Sequence, residues 1–124
     1  MELSFYKCSK CGKIVALIKG SACPTMCCGE EMKLIVPGST DAAVEKHVPV
    51  VEVNGSVVTV KVGEVDHPML PEHYIEWIGL ETAQGFAMKD LKAGDAPCVT
   101  FALSEGDSVT AAYAYCNLHG LWKK

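Results

Sequence analysis

The chain has 124 residues, 49% of them apolar, a formal net charge of −4, seven cysteines and four histidines. That length holds one modest domain, or a small domain beside a mini-domain, and the composition suits a packed core rather than disorder. All eleven basic residues are lysine, and an acidic chain without arginine lacks the usual reader of phosphates and bases, so no nucleic acid is expected as a partner.

Near the start, Lys7, Lys10, Lys13 and Lys19 interrupt any apolar run, so a signal peptide is not expected. No stretch approaches the roughly 20 apolar residues of a membrane helix. A soluble, cytoplasmic protein without a membrane partner is the expectation. In a reducing cytosol, cysteines at this density read as metal or redox sites, and an odd number closes no complete set of disulfides.

The composition changes at Pro37-Gly38. Residues 1–36 hold five cysteines, no histidine, and five lysines against three acids. Residues 37–124 hold two cysteines, all four histidines, and six lysines against twelve acids. A domain boundary is expected there, giving domains of 1–36 and 37–124. The first is too short for a core of its own and needs a metal or disulfides to fold. Short strands are expected at 3–7, 13–18 and 32–36, separated by glycine-marked turns.

Between these strands lie Cys8-Ser-Lys-Cys11-Gly12 and Cys27-Cys28-Gly29. Two residues between cysteines let both sulfurs reach one ion, and the glycine permits the tight turn that follows. Four thiolates suit zinc or iron. Neighbouring side chains on extended backbone point apart, so Cys27 and Cys28 can share an ion only with local distortion, which favours iron over a relaxed structural zinc site. Cys23 reads as a thiol of the intervening loop; the alternative is a competing ligand in place of Cys27.

Residues 40–46 are the one helical candidate, a turn or two. The remainder reads as strands at 48–53, 57–62, 74–80, 86–91, 99–103 and 109–116. The first two flank Asn54-Gly55, a strong hairpin signal because both residues tolerate positive φ. Turns are expected at Gly85, Gly94-Asp95 and Glu105-Gly106-Asp107. Short strands with regularly spaced turns argue for a β-sandwich.

His47, His67, His73 and His119 all fall at strand ends or in loops, where a sandwich places its functional groups. Any one alone reads as a surface or core histidine. Together with Cys116, three positions before His119, they offer five ligands. Zinc prefers four, whereas five with a sixth position open suit iron, and an axial thiolate pushes electron density toward the opposite position. A blue-copper site also pairs a distant histidine with a C-terminal Cys and His, but its usual methionine has no counterpart after His119 and two histidines would stand idle. Tyr115 alternates to the face opposite Cys116 and is expected to pack. Trp77 and Trp122 read as core or as cover for the site.

In combination these motifs resemble those of desulfoferrodoxin, the two-iron form of superoxide reductase, over nearly the whole chain. The resemblance is carried by Cys8-x-x-Cys11 with Cys27-Cys28-Gly29-Glu30, and by Gly38-Ser-Thr-Asp41 leading to Glu45-Lys46-His47-Val48-Pro49-Val50. It extends through His67-Pro68-Met69, His73-Tyr-Ile-Glu-Trp77-Ile78, Gly94-Asp-Ala-Pro97 and Tyr115-Cys-Asn-Leu-His-Gly120. Cys23-Pro24 and Cys98 depart from the pattern, and neither displaces a matched ligand.

The resemblance implies an all-β chain: a small desulforedoxin-like domain with an iron–tetrathiolate centre on Cys8, Cys11, Cys27 and Cys28, then an immunoglobulin-like β-sandwich. There it implies a second iron with His47, His67, His73 and His119 in a plane and Cys116 on the axis. The implied reaction is one-electron reduction of superoxide to hydrogen peroxide, with two protons taken up. A homodimer and rubredoxin as electron donor are implied as well. Glu45 is implied as the residue that can occupy the vacant position after oxidation, and Lys46 as the positive charge beside it. Lys46 also has an independent argument, because superoxide is an anion approaching an acidic domain. One ammonium about 4 Å from it contributes on the order of 4 kcal/mol at an effective dielectric of ~20, an upper figure for an open site. A pure electron-transfer protein and a zinc-bound interaction module are the competing classes, separated by metal content and colour.

Overall fold

The computed structural model describes residues 3–124, and its regular structure is almost all strand, with a single helical turn, α1 (Val44–His47), among the described residues. Contacts divide the chain into one unit ending at Val36 and a second formed by Pro37–Lys124.

In the first unit β1 (Ser4–Lys7) pairs with β2 (Ile14–Leu17), and β5 (Lys33–Leu34) joins the other edge of β1. Among its described apolar residues only Leu3, Phe5, Cys8 and Met32 are buried. So small a core cannot offset the ordering of its chain without a cross-link or a metal. Two short strands unsignalled in the sequence, β3 (Met26–Cys27) and β4 (Glu30–Glu31), form a tight hairpin. Its two turn residues are Cys28 at φ +53° and Gly29 at φ +76°, the paired left-handed conformation of a type I′ turn. That conformation is the distortion the adjacent cysteines require. The expected strand at 32–36 shrinks to two paired residues.

The second unit consists of two antiparallel sheets. One contains β6 (Pro49–Asn54), β7 (Val57–Val62) and β10 (Cys98–Ala102), in the order β10-β7-β6. The other contains β8 (Ile75–Thr82), β9 (Phe86–Asp90), β11 (Val109–Cys116) and β12 (Gly120–Lys123), in the order β12-β11-β8-β9. The hairpin turn after β6 lies one residue later than the motif suggested. Asn54 pairs with Val57, so the central residues are Gly55 and Ser56, and of these only Gly55 has positive φ. That is the pattern of a type II′ turn.

Alternation in β7 sends Val58, Val60 and Val62 inward, all fully buried. They meet Ile75, Ile78 and Leu80 of β8, Phe101 of β10, and Ala112, Ala114 and Cys116 of β11. Each large aliphatic side chain so buried contributes roughly 1.5–3 kcal/mol. β12, also unsignalled, adds Leu121 and Trp122 to the buried set. Three connections gather at one end of this sandwich: α1 leading into β6, residues 63–74 between β7 and β8, and the turn between β11 and β12. They carry all four histidines, and Cys116 ends β11.

Candidate metal centres

In the first unit the sulfurs of Cys8, Cys11, Cys27 and Cys28 all lie within 4.8 Å of one another. Cys11 Sγ is 3.6 Å from Cys27 Sγ, which is 3.9 Å from Cys28 Sγ. A tetrahedral ion with metal–sulfur bonds of about 2.3 Å has sulfur–sulfur edges of about 3.8 Å, so the cage has the size of one thiolate-bound metal. Cys8 is buried and is held at about 6 by the backbone N–H groups of Cys11 and Lys10. Cys28 is pushed up to about 12, chiefly by its hydrogen bonding with Cys11, and Cys27 is raised through the same partner first. Four sulfurs this close cannot all ionise without a cation among them. The two cysteine loops are tied through Glu30, which stands opposite Cys27 in the hairpin. Its carboxylate accepts from Ser9 Oγ at 3.0 Å and pairs with Lys10 Nζ at 3.6 Å. Cys23 is exposed and lies outside this cluster, as does Cys98 in the second unit.

In the second unit the ligand atoms of His47, His67, His73 and Cys116 lie within 4.8 Å of one another. His119 closes the set: its Nδ1 is 3.1 Å from His47 Nε2 and 3.9 Å from Cys116 Sγ. The four rings form a closed square. His47 meets His67 and His119 edge-on, with centroids 4.6 and 4.9 Å away. His73 meets the same two edge-on, at 4.7 and 5.1 Å. His47 and His73 face each other across the middle at 6.5 Å. The buried sulfur of Cys116 lies within reach of this ring from the protein interior, while His73 and His119 are half-buried.

Hydrogen bonds show which ring nitrogens face the centre. His47 Nδ1 lies 2.7 Å from the carbonyl of Ala43, and His67 Nδ1 lies 2.7 Å from the carbonyl of Pro68. A carbonyl only accepts, so both Nδ1 atoms carry the hydrogen and both Nε2 atoms present lone pairs. Those two lone pairs face each other at 3.1 Å. His73 Nε2 is buried with no hydrogen-bond partner among the described residues. Burial, the leading cause at each, holds His47 and His73 below the ordinary histidine value and His67 down at about 4, so these rings are neutral at pH 7. Converging neutral lone pairs repel unless a cation sits between them. Two adjacent corners separated by 3.1 Å place the middle of a square about 2.2 Å from each nitrogen, close to the ~2.0–2.1 Å bond of imidazole to a divalent metal. Burial raises the Cys116 thiol, and the N–H groups of Leu118 and His119 act against that rise. The donor set therefore fits a redox-active metal with room for a sixth ligand.

Trp122 stacks on His47 at 4.9 Å, and its Nε1 donates to the His119 carbonyl at 3.1 Å. It covers one side of the centre, as its position suggested. Trp77 stacks on Tyr115 at 5.9 Å, so both pack. Glu45 and Lys46 stand on α1 with exposed side chains. Among the described residues neither side chain forms a hydrogen bond or ion pair with the ring, yet their fields reach it: Lys46 lowers His73, and Glu45 raises His47, each as a minor cause. Sequence reasoning missed the carbonyls of Ala43 and Pro68, which leave no trace in side-chain pattern. It also missed Asn117, whose side chain accepts from Tyr74 N–H at 2.9 Å and donates to the Glu72 carbonyl at 3.1 Å.

Residues 39–124 match the family model described as desulfoferrodoxin, and residues 1–35 match the model of the desulfoferrodoxin N-terminal domain. A desulfoferrodoxin of Nitratidesulfovibrio vulgaris is 47% identical over 123 residues, covering 98% of this chain and 95% of that protein. A desulfoferrodoxin homolog of Archaeoglobus fulgidus is 46% identical over 121 residues, with the same coverage. Among solved structures, the superoxide reductase from Treponema pallidum aligns with a TM-score of 0.84 at 45% identity, covering 100% of this chain and 99% of that one.

Proposed function

The chain belongs to the desulfoferrodoxin family, and from that premise we propose that it is a superoxide reductase working at the His/Cys centre. The observation that carries this reading is the set of four imidazoles and one thiol converging on a single point. Iron held by His47, His67, His73, His119 and Cys116 would supply the one electron that, with two protons, converts superoxide into hydrogen peroxide.

The chain's own residues do the rest. Ala43 and Pro68 fix the tautomers of His47 and His67 so that lone pairs face inward. The amides of Leu118 and His119 favour the thiolate of Cys116 against the cost of its burial. Trp122 keeps water from one side of the ring. Lys46, exposed on α1, would attract the anion, and Glu45 beside it would be the residue that occupies the metal's open position when substrate is gone, a role that rests on the family resemblance. The other iron belongs to Cys8, Cys11, Cys27 and Cys28. The same reading takes a rubredoxin-like protein as electron donor and two copies of the chain as the working unit; both rest on the family resemblance. Seven free thiols, most of them in two metal-sized clusters, suit the cytoplasm.

Pulse radiolysis of the reduced, iron-loaded chain tests the proposal. Superoxide should oxidise the His/Cys centre rapidly and yield peroxide without dioxygen. Evolution of dioxygen would make the chain a dismutase. Failure of superoxide to oxidise the centre would leave an electron carrier.

A further inference from the structure

We propose that Asn117 is the positioning residue for His73, and that through it three of the five ligands of the His/Cys centre move as one body. The inference rests on reading those five residues as a metal centre and is independent of the substrate.

His47 and His67 are each fixed by a ring nitrogen bonded to a carbonyl at 2.7 Å. His73 has no such anchor: among the described residues no protein group bonds its Nε2, and its ring is set by its backbone together with the edge-on contacts of His67 and His119. That backbone is gripped from both sides. Leu70 and His73 exchange two main-chain hydrogen bonds, at 2.9 and 3.0 Å. Asn117 then holds the two residues flanking His73. Its Oδ1 accepts from Tyr74 N–H, its own N–H donates to the Tyr74 carbonyl at 3.2 Å, and its Nδ2 donates to the Glu72 carbonyl.

The fold explains why a side chain is needed here. The ladder between β8 and β11 runs in register from Ala111 to Tyr115, which lies opposite Trp77, then slips so that Cys116 faces Ile75 and Glu76 is left over. Leu91 N–H takes the Glu76 carbonyl. Beyond the slip the main-chain ladder thins to the one bond from Asn117 N–H to the Tyr74 carbonyl, and the Asn117 side-chain amide adds two more. One acceptor and one donor are needed together, on an arm short enough to reach peptides on either side of His73. Aspartate lacks the donor, and alanine lacks both. Asn117 also lies between Cys116 and His119 in the chain, so the bonds that hold His73 tie it to the segment bearing those two ligands.

The test uses the full chain with Co2+ in both centres, challenged by a competing chelator and followed by visible absorption. The cobalt–tetrathiolate bands arise in the other unit and serve as the internal reference. Asn117→Asp is nearly isosteric, and Asn117→Ala, which adds no charge, runs beside it; either variant with a cooperative melt carries the comparison. The expected result is cobalt held about 10–100-fold less tightly at the His/Cys centre, with its spectrum moved toward lower coordination and the tetrathiolate bands unchanged. In a His73→Ala background the same Asn117 change should add almost nothing, because its route of action is gone. Wild-type cobalt affinity in both Asn117 variants overturns the inference. So does a penalty of equal size with and without His73, which would mark a general folding role. If His73→Ala itself leaves cobalt binding intact, the metal-centre reading falls and takes the inference with it.

Discussion

Gly63→Ala should loosen both the fold of the second unit and its grip on metal. Gly63 follows β7 at φ +83°, and a Cβ built there would collide with the Val65 carbonyl oxygen and lie 2.7 Å from the Glu45 carbonyl oxygen and 2.7 Å from the carbonyl carbon of Lys46. All three are backbone atoms, so no side chain can swing aside. At this point the turn leading to His67 packs directly on the helical turn bearing His47, and Val65 N–H donates to the Glu45 carbonyl at 3.0 Å. A left-handed conformation costs a non-glycine residue roughly 1–2 kcal/mol. Forcing a methyl into a closed contact costs about 1–3 kcal/mol more. The combined loss is therefore about 2–5 kcal/mol, and each kcal/mol lowers the melting temperature of a domain this small by roughly 4–8 °C. Trp77 and Trp122 are the only tryptophans and both lie in this unit, so tryptophan fluorescence follows its melting without interference from the first unit. The metal-free variant should melt at least about 8 °C below wild type, and the iron-loaded variant should lose iron faster from the His/Cys centre. A metal-free melt within about 2 °C of wild type would show that the contact is not the constraint described.

Three further outcomes follow from the geometry. Lys46→Ala should slow the reaction with superoxide several-fold at low ionic strength and weaken its salt dependence, because an exposed ammonium acts through a screened field; an unchanged low-salt rate in pulse radiolysis removes Lys46 from the mechanism. Glu30→Ala should speed chelator-driven metal loss from the tetrathiolate centre alone, since it releases Ser9 and Lys10 from the Cys27 hairpin, and equal rates for variant and wild type would show the tie to be idle. Trp122→Phe keeps a ring against His47 but forfeits the bond to the His119 carbonyl; urea unfolding should register a loss of about 1 kcal/mol, and no loss would mean that stacking alone holds the cover in place.

The ligands were legible because their chemistry is rare. Cysteine pairs at metal spacing and four histidines at strand ends have few other uses, and β-branched alternation marked β7 without ambiguity. What escaped was whatever depended on a partner distant in the chain. β3 and β4 have two-residue arms with no strand signal, and their turn uses Cys28 at a positive φ normally left to glycine or asparagine. β12 is too short to announce itself and exists because β11 offers it an edge. The turn at Gly55 moved by one residue because pairing across β6 and β7, not the Asn-Gly motif, sets the register. Asn117 sits within the very motif that identified Cys116 and His119, yet its role depends on a slip in the ladder that no local pattern encodes.

Cys116 alone among the five ligands of its centre belongs to the apolar cluster that holds the two sheets together. The imidazoles hang from connections, where insertion and drift are tolerated. A lineage can thus reshape the connections that carry the imidazoles, or an engineer can redesign them, while the sulfur stays fixed by the same valines and isoleucines that keep the protein folded. Conversely, trimming one of those valines would act on the bound metal from beneath, through a side chain that has no chemistry of its own.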